Sequence, residues 1–151
     1  MGHELRIITN SPSETEELGF KLGRFLKANG KGTVLLYGDL GAGKTVFVKG
    51  VASAFGIAGR DIGSASFVIA AEYETSPPFY HIDLYRVERE GDIDNLGIWE
   101  YIGSGGIAVI EWAERLSEIP EDSIIVKMNF MDDSTREVII EGIDEENWDH
   151  M

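Results

Sequence analysis

Apolar residues recur along the chain with two periods. Residues 5–8 form a short apolar run that predicts a strand. Behind Ser13-Glu14-Thr15-Glu16, Leu18, Leu22, Phe25 and Leu26 recur at helical spacing. Ser13 is read as the cap of that helix, Glu16 as the side chain that reaches back, and Gly30 as its end. Residues 33–37 (T-V-L-L-Y) are continuously apolar, as expected of a strand buried on both faces. After a glycine-rich stretch at 38–45, Phe47, Val48, Val51 and Phe55 predict a helix over 46–55 closed by Gly56.

Residues 62–67 are small and polar and read as loop. Residues 68–73 and 79–85 read as two strands joined across Ser76-Pro77-Pro78, and 92–102 as a helix carrying Ile93, Leu96 and Tyr101. Gly105-Gly106 precedes a second buried-type strand at 107–110, followed by a short helical turn at 113–116. Residues 124–130 alternate apolar and polar, and 136–140 follow Asp132-Asp133-Ser134, which predicts a β-hairpin. Strands and helices interleave, so the class is α/β: a mainly parallel central sheet with antiparallel additions.

The length, 151 residues, suits one domain spanning 1–151, and 43% hydrophobic residues exclude a disordered chain. Met1–His3 are read as a cloning remnant, and residues 143–151 as an acidic tail that is either a frayed end or a docking segment around Trp148. Cysteine is absent, which excludes disulfides and thiolate chemistry, and three scattered histidines make no zinc site. The formal charge is −14; residues 141–150 hold five acids and no Lys or Arg, and without them 22 acids still face 13 bases. So acidic a body is repelled by nucleic-acid backbones and anionic lipid, so no direct DNA binding and no membrane association are expected. No apolar run reaches 18 residues and no signal-peptide core follows the start, so a cytoplasmic location is expected.

One motif carries chemistry. Gly38-Asp39-Leu40-Gly41-Ala42-Gly43-Lys44-Thr45 matches G-x-x-x-x-G-K-[ST] in full, between a buried strand and a helix. The glycines let successive N–H groups turn inward onto a phosphate, and the helix behind adds its N-terminal dipole. Lys44 is assigned to the β/γ-phosphates and Thr45 to Mg²⁺, with Val46 closing the nucleotide-binding stretch. These residues predict a three-layer P-loop NTPase-like fold and call for a nucleotide's phosphates and Mg²⁺. Such a loop needs an acid at a strand end. Glu111 follows four apolar residues and Asp83 ends the F-Y-H-I-D run, so both are candidates for catalysis and for the metal. His81 shares a strand face with Asp83; it either orients the site or is a satisfied structural histidine. Trp112 either shields the site or packs, and Ser64 and Ser66 either sense the γ-phosphate or are plain loop serines. No N-K-x-D motif supports GTP.

With G-D-L-G-A-G-K-T, S-A-S-F at 64–67, H-I-D-L-Y-R at 81–86 and I-E-W-A-E-R at 110–115, the chain resembles the TsaE (YjeE) family. The resemblance implies a small bacterial P-loop ATPase that acts with the TsaD and TsaB proteins to make the threonylcarbamoyladenosine modification of tRNA. It further implies that Lys44 and Thr45 are the phosphate and Mg²⁺ residues, Glu111 the Walker-B-like acid and Asp83 a second essential acid positioning water. Trp112 matches the motif tryptophan, and Thr15 and Arg136 match nucleotide contacts near the two ends of the domain. The family pattern S-P-T-F is Ser64-Ala65-Ser66-Phe67 here, Val46 stands where a second threonine is common, and Ala113 replaces a proline. Two other readings of the P-loop are a small-molecule kinase and a nucleotide-gated adaptor with incidental hydrolysis.

Overall fold

The computed structural model describes residues 4–38, 42–62, 70–85, 97–103 and 105–149. Asp39, Leu40 and Gly41 of the P-loop lie outside the described residues, as do Ser64, Ser66 and the first part of the helix expected over 92–102. The described elements run β1 (Glu4–Thr9), α1 (Pro12–Asn29), β2 (Gly32–Tyr37), α2 (Lys44–Ser53), β3 (Ala70–Tyr73), β4 (Phe79–Asp83), α3 (Ile98–Ile102), β5 (Ile107–Glu111), β6 (Ile124–Phe130), β7 (Arg136–Glu141) and α4 (Glu145–Asp149). Single 3₁₀ turns lie at Gly59–Asp61 and Ala113–Arg115.

The strands form one sheet in the order β1-β7-β6-β2-β5-β4-β3. β6, β2, β5 and β4 are parallel; β3 adds antiparallel at one edge, and β7 then β1 at the other. The chain crosses from β5 over β2 to β6, so the carboxyl end of β2 lies where strand order reverses, the place where open α/β sheets leave a ligand crevice. α1 and α2 cover one face over Val34, Leu36, Val109, Val126 and Ile140; α3 and the Ala113–Arg115 turn cover part of the other over Leu35, Ile82 and Ile110.

α2 can reach its place because the two helices touch backbone to backbone. A Cβ at Gly50 would overlap the Glu16 carbonyl oxygen, and one at Gly19 the Phe47 carbonyl oxygen. These glycines act through space rather than through a turn, and they set the depth at which the N-terminus of α2 meets the sheet.

The sequence reading needs four corrections. The cap of α1 is Ser11, whose Oγ accepts from Glu14 N, with Pro12 opening the helix; Glu14 Oε1 accepts from Asn10 N. A cap of capping-box type lies two residues earlier than Ser13 and Glu16 suggested, with Glu14 reaching the residue before the cap, because proline fixes the first helical residue. α2 begins at Lys44 and ends at Ser53, before the residues expected, because the last turn of the P-loop already curls into the helix. β4 stops at Asp83, whose Oδ1 accepts from Tyr85 N and turns the chain. The tail is not a frayed end over 145–149: α4 brings Trp148 into the main core with 5% exposure, and Lys21 lies 4.4 Å from its ring centre. Trp148 was legible as an apolar residue, but its place in the core depends on a long-range contact.

Candidate functional site

β2 delivers the chain to Gly38, and Gly43 (φ 94°, ψ 16°) turns it into α2 in a left-handed conformation that favours glycine. Among the described residues no side chain caps α2, which leaves its first N–H groups as at an anion-binding helix start. Lys44 is 5% exposed and its Nζ donates to the Gly38 carbonyl. The same ammonium lies 3.4 Å from the centre of the Trp112 ring. That ring also packs on Tyr85, with centroids 5.0 Å apart. Trp112 is held at φ 59°, ψ 44°, a left-handed conformation costly for a bulky residue, of the kind that persists when the surroundings over-determine it.

Next to Lys44, the Thr45 hydroxyl donates to Glu111 Oε1 at 3.4 Å, and the other carboxylate oxygen, Oε2, lies 2.6 Å from His81 Nε2. Glu111 is 3% exposed and His81 7%. The strand register accounts for this meeting. Asp83 on β4 sits directly beside Glu111 on β5, and His81 is two residues back on the same face. Burial pushes the Asp83 carboxyl above the usual aspartate range, opposed first by the hydrogen bond from Tyr85 N; the nearby Glu111 raises it further, and His81 and Lys44 lower it.

On the other side of the P-loop a small open cleft is lined by Pro12, Thr15, Gly43, Val46, Asp133, Ser134 and Arg136. Thr15 and Arg136, from opposite ends of the sequence, meet here. Thr15 is buried, and its Oγ1 is engaged with Thr9 Oγ1 at 2.7 Å and the Ser11 carbonyl at 3.3 Å. Its methyl group is the part near Gly43, 3.9 Å from where a Cβ would stand. Arg136 Nε donates to the Ala42 carbonyl at 3.2 Å, Nη1 donates to the carbonyls of Asp132 and Thr135, and the guanidinium stacks on Phe130. Arg136 therefore ties β7 to the P-loop while lining the cleft. The β6–β7 turn that supplies Asp133 and Ser134 is built on Asp132. Its Oδ1 accepts from Ser134 N and Thr135 N, bonds that hold its carboxyl below the usual aspartate range. Pro12, Asp133 and Ser134 were not foreseen as cleft residues, because nothing local in the sequence sets the hairpin tip beside the start of α1.

The structure thus brings Lys44, Thr45, Asp83, Glu111 and Trp112 to the carboxyl ends of β2, β5 and β4, with Ala42, Gly43, Val46, Thr15 and Arg136 around the adjoining cleft. Among the described residues no group of three His, Asp or Glu side chains forms a self-sufficient metal site. None of the described helices is long and apolar enough to cross a membrane.

Residues 9–138 match the profile of a family described as "Threonylcarbamoyl adenosine biosynthesis protein TsaE". The chain is 36% identical over 137 residues to the tRNA threonylcarbamoyladenosine biosynthesis protein TsaE of Treponema pallidum, covering 90% of this chain and 99% of that protein. It is 36% identical over 143 residues to the protein of the same name from Bacillus subtilis, covering 93% and 87%. The crystal structure of Bacillus subtilis YdiB superposes with a TM-score of 0.73 at 31% identity, covering 97% of this chain and 90% of that one. With a P-loop at the reversal point of a mainly parallel sheet, and with the profile matching most of its length, this chain belongs to the TsaE family.

Proposed function

We propose that the chain is a Mg²⁺-dependent ATPase that works with the TsaD–TsaB complex in making the threonylcarbamoyladenosine modification of tRNA, and that it engages tRNA only through those partners. The observation that carries the reading is the contact between Thr45 Oγ1 and Glu111 Oε1 at the head of α2, beside the Lys44 ammonium.

The donor set suits Mg²⁺. Both atoms are hard oxygens, and their 3.4 Å separation is close to the about 2.9 Å that neighbouring ligands take in an octahedron with 2.0–2.1 Å bonds. Two protein oxygens, one from a hydroxyl and one from a carboxylate, leave room for phosphate oxygens and water, as this ion prefers. When bound, Mg²⁺ supplies charge neutralisation across the phosphate oxygens.

The chain's own residues do the rest. The P-loop N–H groups and the start of α2 hold the phosphates, and Lys44 exchanges its Gly38 carbonyl and Trp112 ring contacts for phosphate oxygens. Glu111 holds the metal side of the site. Asp83 is less acidic than an ordinary aspartate and sits beside Glu111, which suits it to orient the attacking water. Trp112 closes the site over Lys44. The cleft between Gly43 and the β6–β7 turn takes the nucleoside part of ATP, with the Thr15 methyl and Val46 as apolar contacts.

The test is phosphate release from Mg-ATP with and without purified TsaD–TsaB, with Lys44→Ala as the blank. Stimulation by the partners that disappears in Lys44→Ala is expected. Bound ATP without any partner-dependent hydrolysis would overturn the ATPase reading and leave a nucleotide-gated adaptor.

A further inference from the structure

We propose that His81 is a positioning residue: its Nε2 holds one oxygen of Glu111 so that the other is presented to the Thr45 hydroxyl and to a divalent cation. The inference rests on the assignment of Glu111 to the metal side of the site.

Glu111 is a carboxylate taken almost completely out of water. Such a group is tolerated only if donors replace its hydration. Among the described residues two donors reach it, and they are unequal. The Thr45 hydroxyl stands at 3.4 Å from Oε1, outside the 2.5–3.0 Å range of a good O–H···O bond, whereas His81 Nε2 stands at 2.6 Å from Oε2. His81 is therefore the main anchor. The long Thr45 contact is easily exchanged for another partner, and the short His81 contact is not.

Two donors on opposite oxygens also fix the plane of the carboxylate, which a single donor would leave free to rotate. The sheet supplies the geometry. β4 and β5 are parallel and in register at Asp83–Glu111, so His81 lies one same-face position behind Glu111 and approaches it from below. The imidazole thus sits on the side away from the P-loop, and Oε1 faces Thr45 at the start of α2. A histidine kept for packing alone would be replaceable by any side chain of similar volume. One kept for Nε2 requires a donor at that distance from the backbone. Glutamine places its amide nitrogen the same number of bonds from Cα as Nε2, while asparagine places it at the position of Nδ1 and falls short of Glu111.

The experiment compares wild type, His81→Gln and His81→Asn. ATP binding is measured by calorimetry in EDTA and at rising MgCl₂, with thermal melting run alongside. For wild type and His81→Gln, Mg²⁺ is expected to tighten ATP binding at similar concentrations. For His81→Asn the half-saturating Mg²⁺ is expected to rise on the order of 10–100-fold, the usual cost of losing a residue that orients a metal ligand, with ATP affinity in EDTA unchanged. If His81→Asn follows the wild-type Mg²⁺ profile, the inference falls. It falls equally if glutamine is as impaired as asparagine, or if asparagine loses ATP affinity to the same extent with and without metal. A wild-type chain whose ATP binding ignores Mg²⁺ would instead overturn the assignment of Glu111, and the role of His81 with it.

Discussion

The two halves of the sheet treat acidic residues in opposite ways. In the parallel half, β5 is buried at every position and lies between β2 and β4. The acid at its end, Glu111, is desolvated and held by His81 and Thr45. Toward the antiparallel edge, β6, parallel to β2 but antiparallel to β7, and β7 itself alternate between core and the outer face. Their acids Glu137 and Glu141 reach the open face, where Arg6 and Lys127 approach them at 3.5 and 3.2 Å. A strand covered on both faces thus turns an acid at its end into a group that must be built around. A strand with one wet face leaves the same residue type partly exposed, 22% for Glu137 and 31% for Glu141, each beside an exposed basic side chain in a pair worth about 0–1 kcal/mol.

Substitutions can break or sharpen this contrast. The largest effect is expected from Glu111→Gln. It keeps the volume and loses the charge, and should lower Mg-ATP hydrolysis on the order of 10²–10³-fold in steady-state assays, while Glu137→Gln leaves the rate unchanged. Equal losses from both would dissolve the contrast.

Next comes Trp148→Ala, in the main core under α1 and α2. Urea denaturation should report a loss of about 3–5 kcal/mol, the range for deleting a buried large aromatic. A loss near zero would return residues 145–149 to a loose tail.

Asp83→Asn should separate stability from activity. The folded carboxyl titrates above its ordinary 3.8, so the folded state binds this proton more tightly than the unfolded state. Its contribution to stability is present below pH 3.8 and is lost as pH rises through the folded value. At neutral pH the metal-free Asp83→Asn protein should therefore be the more stable by under about 1 kcal/mol, since the group is partly solvated. Its hydrolysis should be slower. Denaturation at pH 7 and at pH 4 checks the sign, because the advantage should shrink at the lower pH. The smallest effect belongs to Lys127→Ala. Less than about 1 kcal/mol and no change in hydrolysis are expected, and addition of salt should reduce even that difference.

Much of this architecture could be read along the chain, and the reasons are local. The apolar runs ending in Tyr37 and Glu111 announced buried strands because burial on both faces leaves no polar alternation. The P-loop could be recognised because its chemistry needs glycines, a lysine and a hydroxyl at fixed spacing. The misplaced cap of α1 shows how far local reading reaches: Ser11 and Ser13 both fit, and the position of Pro12 decides between them. His81 shows the other limit. Its place two residues before Asp83 suggested a shared face, but whether it serves the site depends on which strand lies alongside and in what register.

The sequence by itself determined most of the strands and the two long helices, the G-x-x-x-x-G-K-[ST] stretch and the acids that end two strands, because periodicity and spacing are properties of neighbouring residues. Only the tertiary structure decided that Glu111 is anchored by His81, that Arg136 and the Thr15 methyl meet at Gly43, and that Trp148 closes the core. Those facts follow from strand order, register and burial, which join residues far apart in the chain.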